Sequence, residues 1–395
     1  MIDHLLFLQN ILQKLMDQTL PISQSKPHYE ILDGLRGVAA IVVVIFHIFE
    51  TFSNGDHVKQ IINHGYLAVD FFFMLSGYVI SYAYDNRWNQ MTTKDFFVRR
   101  LVRLQPMIIM GTLVGACLFY FQQSEGLGWG GISTTPVWKL ILVMLIGMTV
   151  LPVTKALDIR GWGEMHPLNG PSWSLFYEYI ANIAYALILR KVSKTVLGIL
   201  VFISLGFTLY YAFTNPHGDI IGGWSIDDAT QLKIGFTRLT FPFLMGMFLA
   251  KVMTLKYTKN AFLTTGILLV AILAFPRLGG YDNHEWNALY ECLTLMILFP
   301  AIILLGAGGK VMGDKANRLC KFFGEISYPL YITHFPLVNV YMAWVVNGKH
   351  TLSEPITWMT GILTVAASVI LAYLLMKVYD IPVRKWLNRK LIAKK

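Results

Sequence analysis

Arg36 and His47 stand near the two ends of an otherwise apolar run, LDGLRGVAAIVVVIFHIF, at residues 32–49. A neutral imidazole is the natural general base near pH 7, and a carboxylate on its second ring nitrogen fixes the tautomer. Two acids fall where they would serve as that carboxylate. Asp70 lies near the start of the next apolar run, and Glu178 lies within GPSWSLFYEYIANIAY. His334, in EISYPLYITHFPL, is a further ionisable group in apolar sequence. It reads equally as a site residue or as the partner of a backbone carbonyl freed by the following proline.

The arginines carry a second chemistry. DFFVRRLVR supplies Arg99, Arg100 and Arg103, and Arg36 comes from a different helix. Guanidinium groups from two helices meeting at one mouth would hold a multiply phosphorylated ligand by paired hydrogen bonds. On a helix, Arg36 and His47 would be about 16 Å apart along the axis. An anion holder at one end and a base at the other suit a ligand such as a coenzyme A thioester. Charge developing on a thioester oxygen needs a donor; Ser172, Trp173, Ser174 and Tyr78 are the residues available for it. A covalent acyl-histidine is the variant in which His47 acts as nucleophile. Each group also has a structural reading: VRRLVR as a membrane anchor, His47 and Glu178 as packing partners, Ser174 as a helix contact.

The elements that must position these groups are read from hydropathy. The 395 residues are 55% hydrophobic and 14% charged, against roughly 25% charged in soluble domains. Apolar runs recur at 31–50, 65–84, 105–122, 137–152, 171–190, 194–213, 233–251, 260–276, 289–307, 324–346 and 355–379. The fold class expected is an all-α integral membrane protein. Placing the basic loops in the cytoplasm requires about ten transmembrane helices, with both termini cytoplasmic. That count works if 137–152, short of the roughly 20 residues a crossing needs, is re-entrant or interfacial. The expected organisation is an amphipathic cytoplasmic segment at 1–30, a membrane domain at 31–380 and a basic cytoplasmic tail at 381–395. The net charge of +10 sits in short loops, which is a topology pattern and speaks against a nucleic-acid partner. Cys117, Cys292 and Cys320 are widely spaced and read as packing residues, with no metal pattern. GLGWGG and GGW lack the context of a phosphate loop, and there is no GxSxG elbow.

In five ordered blocks the sequence resembles the membrane-bound acyltransferase family 3. LDGLRGVAAIVVVIFH is similar to its opening motif of an Arg, ten residues and a His. GYLAVDFFFMLSGYVIS resembles the second helix, with Asp70 in its usual place, and FFVRRLVRLQP the basic stretch before the third. LNGPSWSLFYE resembles the Trp-Ser-Leu-x-x-Glu block, and GEISYPLYITHFPL the late signature. Gln105 departs from the apolar residue usual before the proline.

The resemblance implies a membrane O-acyltransferase that moves an acyl group, commonly acetyl from acetyl-CoA, to a hydroxyl of a cell-surface polysaccharide or glycolipid. It assigns His47 the essential histidine role, Arg36 its partner position, Glu178 the family's acid, and Arg99, Arg100 and Arg103 the cluster that meets the coenzyme. It further implies acyl-CoA as co-substrate, no metal, and residence in the bacterial cytoplasmic (inner) membrane. The expected partners are the lipid bilayer, the carbohydrate or glycolipid acceptor and separate glycan-assembly proteins. Some relatives carry an extracytoplasmic hydrolase-like domain, and this chain is expected to be the stand-alone form. The alternative is a proton-coupled transporter or flippase of a glycan or lipid-linked intermediate, because membrane histidines and acids in an interior cavity serve carriers as well.

Overall fold

The computed structural model describes residues 28–53, 55–311, 313–348 and 353–392. The amphipathic segment expected at the N-terminus lies outside these residues up to position 27, as do the last three residues of the basic tail.

Each of the eleven apolar runs forms a helix. These are α1 (Glu30–Ser53), α2 (Ala68–Tyr84), α3 (Thr93–Leu118), α4 (Val137–Gly147), α5 (Ser172–Leu187) and α6 (Lys194–Thr214). They continue as α7 (Ala229–Val252), α8 (Ala261–Ala274), α9 (His284–Ala307), α10 (Asp314–Asn347) and α11 (Glu354–Leu391). Single π-helical stretches interrupt α9 at Thr294–Leu298 and α11 at Met376–Asp380. Among the described residues there is no named strand, only an isolated bridge between Thr258 and Gly309. The fold is all-α. Seven of these elements are long and apolar enough to cross a membrane; α4, α5, α8 and α10 are not among them.

Two close helix contacts set the frame. α10 lies along α1, where a Cβ on Gly37 would come within 2.1 Å of the Phe323 carbonyl oxygen. α2 lies along α7 through a reciprocal glycine contact: Gly77 faces the Phe243 carbonyl and Gly246 faces that of Met74. Small residues let backbones approach where lipid supplies no hydrophobic drive between helices. Outward faces are apolar, as on α6 with Phe202, Phe207 and Tyr210 exposed.

For the short segment after α3 the structure decides between the two expected forms, re-entrant and interfacial. α4 ends at Gly147 and turns Val137, Trp138, Ile141 and Leu145 outward, so it is a surface helix and not the re-entrant piece. The irregular chain after it enters the bundle instead: Val153, Ile159, Arg160, Met165, His166 and Asn169 are all buried. Non-helical backbone at membrane depth persists only where protein or a wet cavity supplies its hydrogen bonds. Here Met165 N–H donates to the Trp224 carbonyl, Val153 N–H to the Met165 carbonyl, and Asn169 Nδ2 to the Ile332 carbonyl at 2.8 Å. The last of these is the carbonyl that Pro336 cannot serve. The buried loop therefore repairs a proline break in α10.

Candidate active site

Two large cavities open between the helices. One, of about 700 Å³, is lined by Arg36 from α1, Arg99, Arg100 and Arg103 from α3, Glu178 from α5, and Asp380 and Arg384 from α11. The other, of about 940 Å³, is lined by His47 and Glu50 from α1, His57, Trp162, Glu164, Trp173, Trp224 and Arg238. Val69 and Tyr331 line both.

In the arginine cavity the charges fall into two groups. Arg100 donates to Glu178 Oε1 at 2.5 Å, with Ser76 Oγ donating to the same oxygen at 3.1 Å. Arg36 donates to Asp33 Oδ1 at 2.7 Å, and His28 Nε2 meets the other oxygen at 2.6 Å. Arg384 pairs with Asp380 at 2.8 Å. Arg99 and Arg103 are exposed at the cavity and have no carboxylate within ion-pair distance among the described residues. The paired arginines are held in place, while the unpaired ones are available to an anion.

In the second cavity His47 Nδ1 lies 2.7 Å from Glu50 Oε2, one turn along the same helix. That contact assigns the proton to Nδ1 and leaves the Nε2 lone pair without a partner among the described residues. The imidazole is 18% exposed, stacks on His334 at 5.7 Å and meets the edge of Phe335. An imidazole so oriented is equipped to take a proton at Nε2 while the carboxylate supports the imidazolium.

This pairing corrects the sequence reading, which offered Asp70 or Glu178 as the carboxylate. Asp70 lies two turns before Gly77, on the face of α2 that packs against α7. There Arg238 donates to both its oxygens, at 2.7 and 3.3 Å, and to the carbonyls of Tyr66 and Gly222. Glu178 belongs to the arginine cavity for a different reason. α5 starts inside the bundle, after the buried loop, and not at the membrane surface, which sets Glu178 one cavity away from His47. Glu50 was legible as the i+3 acid of HIFE, and helix neighbours at that spacing face each other.

The remaining residues divide. Ser174 lines the arginine cavity and Trp173 the histidine cavity, so α5 enters between them. Ser172 is buried against a small separate void beside Asn169, and Tyr78 turns to Tyr29, so neither reaches the site. His334 lines neither large cavity; its Nδ1 bonds the Leu330 carbonyl at 3.0 Å within its own helix.

The wall between the cavities is thin. Tyr331 OH and Ser174 Oγ are 2.8 Å apart, and both reach the Pro171 carbonyl. A chain of hydroxyls therefore stands where the arginine side meets the histidine side.

Residues 29–377 match the family described as an acyltransferase domain. A provisionally named O-acetyltransferase of Staphylococcus aureus (strain COL) is 24% identical over 333 residues, 80% of this chain and 52% of that protein. Peptidoglycan O-acetyltransferase OatA of Listeria monocytogenes is 23% identical over 396 residues, 91% of this chain and 56% of its own length. Protein 2 in the picA locus of Rhizobium radiobacter is 34% identical over 177 residues, 42% of this chain and 85% of that protein. The chain thus spans about half the length of the O-acetyltransferase relatives it matches. No solved structure matches it. With most of its length matched, the chain belongs to the acyltransferase family 3, as a multi-pass membrane member.

Proposed function

We propose that this protein is a membrane O-acyltransferase that moves an acetyl or other short acyl group from acyl-CoA to a hydroxyl of a cell-surface polysaccharide or glycolipid. The observation that carries this reading is the placement of the His47–Glu50 pair in one cavity and of exposed Arg99 and Arg103 in the next, with Tyr331 and Val69 lining both and Ser174 bonded to Tyr331.

In this reading the coenzyme's phosphates rest on Arg99 and Arg103, inside a frame kept by the Arg100–Glu178 and Arg36–Asp33 pairs. The arginine side faces the cytoplasm, where acyl-CoA is made. The pantetheine arm passes the wall once Tyr331 shifts, and the thioester comes to rest beside His47. Nε2 takes the proton of the acceptor hydroxyl as its oxygen attacks the thioester carbon. The C–S bond breaks, and the imidazolium returns the proton to the departing thiolate. The products are ester and free thiol, with no net proton released. Glu50 supports the transient imidazolium, and the hydroxyls of Ser174 and Tyr331 donate to the oxyanion.

The test is purified protein in vesicles with radiolabelled acetyl-CoA and candidate glycans or glycolipids, followed by mass analysis. Label in an alkali-labile ester supports the reading. Glycan flux across the vesicle with no ester formed would replace it with a carrier.

A further inference from the structure

Glu164 lies in the buried loop before α5 and lines the histidine cavity. Its side chain is only 9% exposed, yet it makes no hydrogen bond among the described residues, and its Oε2 is buried without a partner. Arg160 stands 3.8 Å away, too far for a hydrogen bond. An ion pair built for stability would close that gap. Arg160 instead directs its N–H groups to the Pro167 carbonyl and to Gln122 Oε1, both at 2.7 Å, and lies over Trp129. Buried polar groups are almost always satisfied, and exceptions call for a missing partner. A carboxylate with open acceptor capacity at a cavity wall is completed by hydroxyl donors.

The surroundings fix the sign of what enters. Facing Glu164 are Glu50 and His47 from α1, His57 from the following loop, and Asp158 and Arg160 from its own loop. Arg238 from α7 lines the cavity but is committed to Asp70. Trp162, Trp173 and Trp224 present aromatic surface in the same space. Burial, opposed by Arg160 and aided by Asp158 and Glu50, pushes the Glu164 carboxyl up to about 7.

We infer that Glu164 is an acceptor-binding residue: it receives a second hydroxyl of a neutral polyol whose reacting hydroxyl lies at His47, and it turns away rings that carry an anionic substituent there. The inference rests on the transferase reading for the word acceptor, and on the cavity alone for the polyol subsite. The two cavities then differ in the charge they admit, an anionic donor on one side and an uncharged acceptor on the other.

The experiment uses the full chain in nanodiscs, titrated with methyl β-D-glucoside and methyl β-D-glucuronide and followed by tryptophan fluorescence. The glucoside should bind the wild type, and Glu164→Ala should weaken it by about tenfold, the scale of a lost charge-assisted hydrogen bond. At pH 8, where Glu164 is ionised, the glucuronide should bind only after Glu164→Gln. Glucoside affinity should fall as pH drops through about 7, and Glu164→Gln should remove that slope; a slope unchanged in the variant would overturn the assignment to Glu164. Equal glucoside affinity in wild type and Glu164→Ala, glucuronide binding to the wild type as tight as glucoside, or no glucoside binding at all would each overturn the inference. Should Glu164→Ala not fold, Glu164→Gln with the two glycosides decides it. Acetyl-CoA consumption is measured in the same nanodiscs. Glu164-dependent binding without consumption overturns the transferase reading while the polyol subsite stands.

Discussion

The two cavities share a wall and treat charge in opposite ways. In the arginine cavity most carboxylates are already matched by a cation, and two arginines remain over. In the histidine cavity one carboxylate holds an imidazole, another has a cation at 3.8 Å but no hydrogen-bond donor, and the Arg238 guanidinium is engaged by Asp70 and two carbonyls. A single cavity with all these groups would neutralise itself. Keeping them apart by a wall one side chain thick preserves a cationic site and a basic site within reach of one elongated ligand.

The comparison makes unequal demands on its residues. His47→Ala should lower acyl transfer by about a thousandfold or more, with membrane insertion and melting temperature close to wild type; turnover within tenfold would end the assignment. Asp70→Asn should act through folding: leaving Arg238 uncompensated costs about 3–5 kcal/mol. Detergent unfolding measures that loss, and the molecules that remain folded should transfer at the wild-type rate. Glu50→Gln should lower kcat by about a hundredfold while acyl-CoA affinity holds, whereas Glu178→Gln should disturb acyl-CoA binding through Arg100. If both variants moved the same parameter, the division of labour between the cavities would be false.

Smaller effects belong to the rim. Arg103→Ala should raise the acyl-CoA KM by about tenfold with little change in kcat, read from initial rates; an unchanged KM would remove Arg103 from the donor site. Glu164→Gln should stabilise the fold in alkali. Its folded pKa of about 7 lies above the ordinary 4.5, so ionisation opposes folding. The penalty is absent below the lower value and complete above the higher. The variant should therefore melt a few degrees above wild type at pH 8 and level with it at pH 4.5. Stability gained by removing a side chain that binds substrate is the usual trade at a binding site.

Much of this was legible because membrane proteins write their helices in long apolar runs. All eleven runs became helices, and the arginines of VRRLVR and GLRG did converge. The acid beside His47 was also within reach, since Glu50 follows one turn later on the same helix. Asp70 and Glu178 lie on other helices, and whether either reaches His47 depends on where each of those helices begins. For α5 that origin was hidden. The loop before it enters the bundle through contacts with α10 and with the Trp224 backbone, and no local pattern encodes partners more than fifty residues away.

Composition and periodicity determined that the chain is helical, lies in a bilayer and carries imidazoles within apolar helices, because hydropathy and helix spacing are local properties. Which carboxylate serves that imidazole, which arginines stay unpaired and where Glu164 points were decided only by packing. Each depends on a long-range contact: the glycine approach that turns Asp70 to Arg238, the Ser76 and Arg100 contacts that hold Glu178, and the buried loop that carries Glu164 to the cavity wall. In a low-dielectric interior the partner a charge meets outweighs the sequence position from which it comes.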